Sequence, residues 1–513
     1  MSRRRTTAAV FAAAALVLSA SCSTVDQPLE ADLASPSPDI RTCATWFAAL
    51  DAAIADAGVR DAEAHPIAGF PYLRVNRFLA SFRTRAQSDD AAFTAWEARL
   101  QALDARSRGY EIQNLPTAAV AALGVADRTA AAERTGTCAT VLAGRDAADP
   151  ARRAILIERA QVPDDYADWK RTVGLYPLVR IPFFEFAKSW QNEASQMFDA
   201  VDAGKAPPHD AVRYAPSTPA ASRADIAALF ARTKLDTLGI PDFSPADAEL
   251  LFASFAPVYD VETSGDYDRL GALHWANGRT GPALDAARPT VYRRLAFTRY
   301  GGETLVQVVY LIWFSERPGD SWLDPLSGNL DGLFFRVTLD ATGQPLVYDT
   351  IHPCGCYHMF FPTPLARALP PADPRVEWAF IPRTLPQIAP PERLVLRLTS
   401  RSHYLTGIRV ETPSDTARTR YTMADEGELR TLPTATGTRS IYGPTGIVPG
   451  TDRGERFAVW PLGIEEAGSM REWGRHATAL VGRRQFDDAD LIERRFALQP
   501  APDGAGDKRL SER

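Results

Sequence analysis

The chain has 513 residues, 45% of them hydrophobic and 23% charged, and a formal net charge of −6. These values describe a core-forming chain with room for two large domains or several average ones. With no long run of like charges and no basic face in the sequence, a nucleic-acid partner is not expected.

The opening residues, MSRRRTTAAVFAAAALVLSASC, have the three-part build of a secretory signal. Arg3, Arg4 and Arg5 form a basic start. Ala8 to Leu18 is an apolar run too short to span a bilayer comfortably, and the small residues Ser19, Ala20 and Ser21 close it. Cys22 stands where a bacterial lipoprotein carries its lipidated cysteine, and LSASC resembles a lipobox whose leucine is displaced by one position. The expectation is a signal peptide over 1–21 and a membrane anchor through a lipid on Cys22. The mature chain would then sit in the bacterial cell envelope facing the periplasm, with a charge of −6 − 3 = −9 once the three arginines are lost. Residues 22–38, polar and Pro-containing, read as a tether.

The cysteine count agrees. Five is odd, and removing Cys22 to a lipid leaves four. Cys43 (in RTCATWF) and Cys138 (in GTCATVL) lie far apart in an Ala-rich region of helical texture. In an oxidising compartment they are expected to form a disulfide, two buried thiols being the alternative.

Residues 39–220 read as an α-helical domain. DAAFTAWEARLQALDA places Phe93, Trp96, Leu100 and Leu103 at helical spacing. YADWKRTVGLYPLVRIPFFEFAKSWQ is helical in texture, but Gly174, Pro177 and Pro182 predict at least two helices with a break. The Pro- and Ala-rich stretch 203–220 reads as a linker. Two helix starts follow: Ser222 with Asp225, and Ser244 with Pro245 and Asp247.

Residues 221–498 read as a mainly antiparallel β domain with short helices. TVYRRLAFTRY, GG and ETLVQVVYLIWF predict a hairpin turning at Gly301–Gly302. DGLFFRVTLD, ATGQ and PLVYDTIH predict a second, and ERLVLRLTS and YLTGIRVE two further strands. DDADLIERRF reads as a short helix, with acids at its start and Arg494 and Arg495 at its end. The tail from Gln499 to Arg513 has a disordered composition. The fold class is therefore α+β, a helical N-terminal region followed by a mainly antiparallel β region.

The chemistry concentrates in HPCGCYH. His352, Cys354, Cys356 and His358 occupy alternate positions, so on a straight strand they share one face. At about 3.3 Å per residue the outer two would then be about 20 Å apart, far too distant for one ion with ligands at roughly 2.0–2.3 Å. Shared ligation requires the chain to curl, which Pro353 and Gly355 permit. Three readings follow. The segment binds zinc or copper through thiolates and imidazoles, with His403, His274 or His476 completing the shell. Or Cys354 and Cys356 form a redox-active pair. Or the segment is a stapled turn in a non-catalytic binding or scaffold protein.

Strand direction places the end of the strand before His352 beside the loop that carries Glu316, Asp320, Asp324 and Asp331. Glu316 is thus a candidate general base, or a carboxylate orienting an imidazole; a solvated acidic loop is the alternative. Arg471, Arg475, Arg483 and Arg484 around His476 are candidates for an anion pocket, or for ion pairs on the protein's own surface. No P-loop, G-x-S-x-G elbow, S-x-x-K or H-E-x-x-H occurs.

Overall fold

A computed structural model describes residues 27–205, 210–276, 278, 280–319, 321, 324–412 and 418–499. The expected signal peptide, Cys22, Asp320 and the tail beyond residue 499 lie outside the described residues. The chain divides into two compact units, one of residues 1–60 and 64–162, the other of residues 61–63 and 163–513. The division therefore falls at residue 162, not at the expected residue 220. Residues 163–205 look helical in isolation, but Tyr166, Tyr176, Val179, Phe183 and Phe198 pack into core clusters of the second unit.

The first unit is helical. α1 (Gln27–Leu33), α2 (Pro38–Ala57), α3 (Asp90–Asn114) and α4 (Arg128–Ala148) make most of it. α1 falls inside the expected tether. It is held because Asp32 is buried and accepts a hydrogen bond from Arg145 Nη2 at 2.9 Å. α2 starts with Pro38 at its first turn and ends at Gly58 in the left-handed region. The disulfide expected between Cys43 and Cys138 is present and joins α2 to α4. Beside it Trp46 Nε1 donates to Thr135 Oγ1 at 3.1 Å.

The second unit is built on one ten-stranded sheet, which bears out the α+β reading. Its strands in chain order are β1 (Ala211–Pro216), β2 (Val258–Glu262), β3 (Thr290–Tyr300), β4 (Glu303–Arg317), β5 (Gly328–Leu339), β6 (Pro345–Ile351), β7 (Met359–Pro362), β8 (Arg393–Leu398), β9 (Leu405–Glu411) and β10 (Thr419–Asp425). The spatial order is β7-β6-β5-β4-β3-β10-β1-β2-β8-β9. The consecutive run β3 to β7 is antiparallel throughout, whereas β10 pairs in parallel with both β3 and β1, and β8 in parallel with β2.

Both predicted hairpins form. Tyr300 pairs with Glu303 around Gly301 and Gly302, whose φ values of 58° and 88° are those of the twist-compatible two-residue turn. In the second, the Asp340 carboxylate accepts from the backbone N–H of Thr342 and Gln344. The inner faces bury a large apolar cluster that includes Tyr310, Ile312, Phe335, Val337, Leu396 and Tyr421.

The expected break in this region is present: the short helix Asp168–Val173 ends at Gly174 and Leu175, and α5 (Tyr176–Asp202) then runs continuously through Pro182. Pro182 sits in the second turn on the exposed face, so the carbonyl it leaves unpaired meets solvent. DDADLIERRF is not a helix but a series of turns leading into a short strand, Phe496–Leu498. The carbonyl of Ala489 accepts instead from Arg299 N and Thr298 Oγ1, and Leu491, Ile492 and Phe496 are all drawn into one core cluster.

Candidate functional site

HPCGCYH is the turn between β6 and β7, and the chain does curl there. Gly355 N–H donates to His352 O at 2.8 Å, and His352 N–H to Cys356 O at 3.0 Å. Gly355 has φ 93°, and a Cβ on it would stand 2.5 Å from the carbonyl oxygen of Ala477, so glycine alone fits.

The curl does not gather the four expected ligands. His352 Nδ1 lies 3.2 Å from Asp331 Oδ1, on β5. His358 Nε2 lies 2.8 Å from Asp349 Oδ2, on β6, and Asp349 is bound in turn by Arg336 Nε at 2.9 Å. The two histidines thus serve different carboxylates. Between them Cys354 is buried and Cys356 half-buried, both as unbridged thiols. They hydrogen-bond to each other, which pushes the Cys354 thiol down and the Cys356 thiol up. The buried guanidiniums of Arg453 and Arg471 add positive charge beside them. Among the described residues no group of three or more His, Cys, Asp or Glu side chains is arranged to hold a metal ion.

What the turn does assemble is an imidazole–carboxylate chain. Asp331 Oδ2 lies 2.9 Å from Nδ1 of His403, whose Nε2 is 3.3 Å from Asp268 Oδ1. The order is His352, Asp331, His403, Asp268, all four fully buried. His403 belongs to the turn between β8 and β9, six strands from β5 in the sheet. A flat sheet would hold them about 29 Å apart, at roughly 4.8 Å per strand. The contact exists because the sheet curls, bringing the turn after β8 back to β5.

The partners of each group set its charge. Burial would raise the Asp331 carboxyl, but His352, Arg453 and His403 outweigh it and hold the group well below the usual range. For Asp268 burial again opposes, and the hydrogen bonds from His403, Arg401 N and Ser264 N win, bringing it to about 2. Burial would lower His403, but its two carboxylates win and raise it. Burial dominates at His352 and lowers it. His403 is therefore the more readily protonated imidazole and His352 the less, and such divergence within one cluster assigns acid–base roles. With Nδ1 directed at Asp331, His352 presents Nε2 as a lone pair, and that atom is buried without a hydrogen-bond partner among the described residues.

A second chain of polar groups faces His352. Arg317 Nη2 donates to Tyr404 Oη at 2.9 Å, and Tyr404 Oη donates to Tyr357 Oη at 2.7 Å. That leaves the Tyr357 proton free to donate outward. Burial pushes the Tyr357 phenol well up, so it stays protonated. The rings of His352 and Tyr357 are 5.1 Å apart, and Tyr357 and Tyr404, both half-buried, pack against Trp190 of α5 at 4.9 and 6.5 Å. Four of the six non-glycine residues with positive φ in the described chain are here: Leu330, Tyr357, Arg401 and His403. Each costs about 1–3 kcal/mol and persists only where its surroundings over-determine it. His403 shows how: its ring is stacked on Phe314 at 3.9 Å and gripped by carboxylates at both nitrogens.

Of the other candidates, Glu316 is exposed on β4 opposite Asn329 and does not reach His352; the carboxylate that does is Asp331. The arginines near His476 are occupied by the chain itself. Arg475 pairs with Asp165 at 3.0 Å, Arg483 with Asp164 and Asp168, Arg471 bonds the carbonyls of Glu465 and Glu466, and Arg484 bonds Thr478 and the Trp378 carbonyl. His476 itself is buried edge-on against Phe334. Asp268, Tyr357, Tyr404 and Arg317 carry no spacing signal that connects them in sequence.

The neutral histidines make stability pH-dependent. His358 is lowered to about 3 from an ordinary 6.5, burial being the main cause. Between those values the unfolded chain binds a proton that the folded chain refuses, so stability falls as pH drops from about 6.5 towards 3, by up to about 1.4 kcal/mol per pH unit. His403, raised, acts oppositely: its contribution is complete below the unfolded value and lost as pH rises through the folded one. His358→Gln is expected to flatten the acid limb of a Tm-against-pH curve; an unchanged limb would contradict this origin.

Comparison with protein-family models, with curated proteins and with solved structures finds no match to the chain.

Proposed function

We propose that the protein is a lipid-anchored cell-envelope protein, facing the periplasm, whose buried imidazole–carboxylate centre performs acid–base catalysis with His352 Nε2 as the base. The observation that carries the catalytic reading is that nitrogen: fully buried, unpartnered, with its ring oriented through Nδ1 by Asp331. A substrate O–H or acidic C–H placed at Nε2 gives up its proton there. Asp331, already anionic, stabilises the imidazolium that forms. The negative charge developing on the substrate oxygen is met by the Tyr357 hydroxyl, which Tyr404 and Arg317 polarise. The anchor and the compartment are supported by the basic start, short apolar run and small residues before Cys22.

A metal reading has one specific support. An imidazole held at Nδ1 by a carboxylate presents Nε2 as metal ligands do, and the Cys354 and Cys356 thiols lie in the same turn. Against zinc or copper there stand the guanidiniums of Arg453 and Arg471, whose charge opposes a cation beside the thiols.

The test compares wild type with His352→Gln and Tyr357→Phe on peptidoglycan, phospholipid and polysaccharide fractions of a bacterial envelope, with products read by mass spectrometry. Turnover is expected to fall by about 10²-fold or more in His352→Gln, the usual contribution of a positioned base. Equal turnover in that variant, or no fraction changed by wild type, would overturn the assignment. One zinc or copper per chain, lost in Cys354→Ser/Cys356→Ser, would reinstate the metal reading.

A further inference from the structure

The thiols of Cys354 and Cys356 have no part in the acid–base centre. They flank Gly355 in the turn between β6 and β7, unbridged, Cys354 only 3% exposed and Cys356 half-buried. Their sulfurs hydrogen-bond to each other across the glycine. The turn that holds them is pinned from two sides. Arg471 N–H donates to Pro353 O at 2.9 Å, and Gly355 lies so close to the Ala477 carbonyl that no side chain fits. Two Cα steps of about 3.8 Å span at most about 7.6 Å, and the bend at Gly355 shortens that towards the roughly 4.4–6.8 Å of a disulfide. The folded chain thus presents the two sulfurs to each other.

A stapling role does not account for the pair. Two backbone hydrogen bonds already close the turn. A bridge across one residue restricts the unfolded chain little, whereas Cys43–Cys138 closes a separation of 95 residues. The local charge favours reactive sulfur instead. The buried guanidiniums of Arg453 and Arg471 act on both thiols. Glu455 opposes them, but burial pushes its carboxyl up, towards the neutral form. Positive charge beside a thiol favours the thiolate, which is the form that attacks disulfides.

We propose that Cys354 and Cys356 form a thiol–disulfide exchange centre, cycling between the open pair and an intrachain bridge against a low-molecular-weight disulfide. Cys356, the more open of the two, makes the attack. Its proton passes along the hydrogen bond to Cys354, its sulfur bonds to one sulfur of the incoming disulfide, and the other sulfur leaves as a thiolate. Cys354 then yields that proton to the released thiolate and attacks the Cys356 sulfur. The mixed disulfide breaks, a second thiolate leaves, and the Cys354–Cys356 bond forms. Two electrons have passed from the pair to the small disulfide. The reverse sequence reopens the bridge, and strain in a ring closed across one residue favours that direction. This chemistry does not depend on His352 as a base.

The test uses the folded full chain carrying Cys22→Ser, so that the state of Cys22 does not enter, equilibrated with mixtures of reduced and oxidised glutathione. Products are read by mass spectrometry of alkylated peptides. A Cys354–Cys356 bridge is expected to form with oxidised glutathione and to reopen with reduced glutathione. Adding Cys354→Ser should trap one glutathione on Cys356. Adding Cys356→Ser instead should slow capture at least about tenfold, because the remaining thiol is buried. The proposal is overturned if no bridge forms in the folded chain, or if the bridge forms and glutathione cannot reopen it, which would make it an inert staple. Equal capture by the two single variants also overturns it, since Cys356 would then have no distinct role. The wild-type pair answers the first two points even where a variant fails to fold.

Discussion

Asp331→Ala is expected to destabilise the β unit by about 3–5 kcal/mol, the cost of removing one partner from a buried ionic network. The carboxylate is the middle of the chain. It binds His352 through one oxygen and His403 through the other, takes Gly332 N–H at 2.9 Å, and lies 3.6 Å from Arg453. Its loss leaves His403 with Asp268 alone and takes from Arg453 a carboxylate 3.6 Å away. The effect reaches beyond local bonding, because Asp331 on β5 and His403 beyond β8 join distant parts of the curled sheet. Asp331→Asn keeps the shape and one acceptor, so a smaller loss is expected, together with a fall in the His403 pKa visible by NMR titration. Guanidinium unfolding curves measure both. A loss under about 1 kcal/mol in Asp331→Ala would show that apolar packing, not this contact, holds the curl.

The same residue shows where the sequence was legible. Strand direction alone placed the end of β6 beside the 316–331 segment, and His352 does meet a carboxylate from it. Which carboxylate depends on the side each residue faces. Glu316 and Asp331 both flank apolar runs, and only the curled sheet buries one and exposes the other. The hairpins β3–β4 and β5–β6 were readable because their alternation and turn residues are local. The parallel pairing of β10 with β3 and β1 was not, since it joins segments more than a hundred residues apart, as at Met423 and Val291. His403 has the same history: it was one of three remote candidates, and nothing local singled it out across the 72 residues from Asp331. Segment 487–496 failed for the reverse reason, a sound local helix signal overridden by strand and core contacts at Ala489 and Phe496.

Removing the bridge in the helical unit, as Cys43→Ala/Cys138→Ala, is expected to cost about 4–5 kcal/mol. The two residues are 95 apart in sequence, and closing a loop near a hundred residues restricts the unfolded chain by about that much in the chain-entropy account. The fold itself should survive, because α2 and α4 keep the buried Trp46–Thr135 hydrogen bond and their apolar contacts. Cys354→Ser/Cys356→Ser supplies the contrast: one residue separates that pair, so no comparable entropic loss is expected there. A cost below about 1 kcal/mol for the Cys43/Cys138 variant would mean that the bridge constrains an unfolded state already held together by other contacts. Thiol titration of the wild-type chain in denaturant without reductant completes the argument through parity. With Cys43 and Cys138 bridged and Cys22 carrying a lipid, the free thiols are those of Cys354 and Cys356, both present or both oxidised. An odd count would mean that Cys22 is unmodified, and would remove the anchor on which the envelope reading depends.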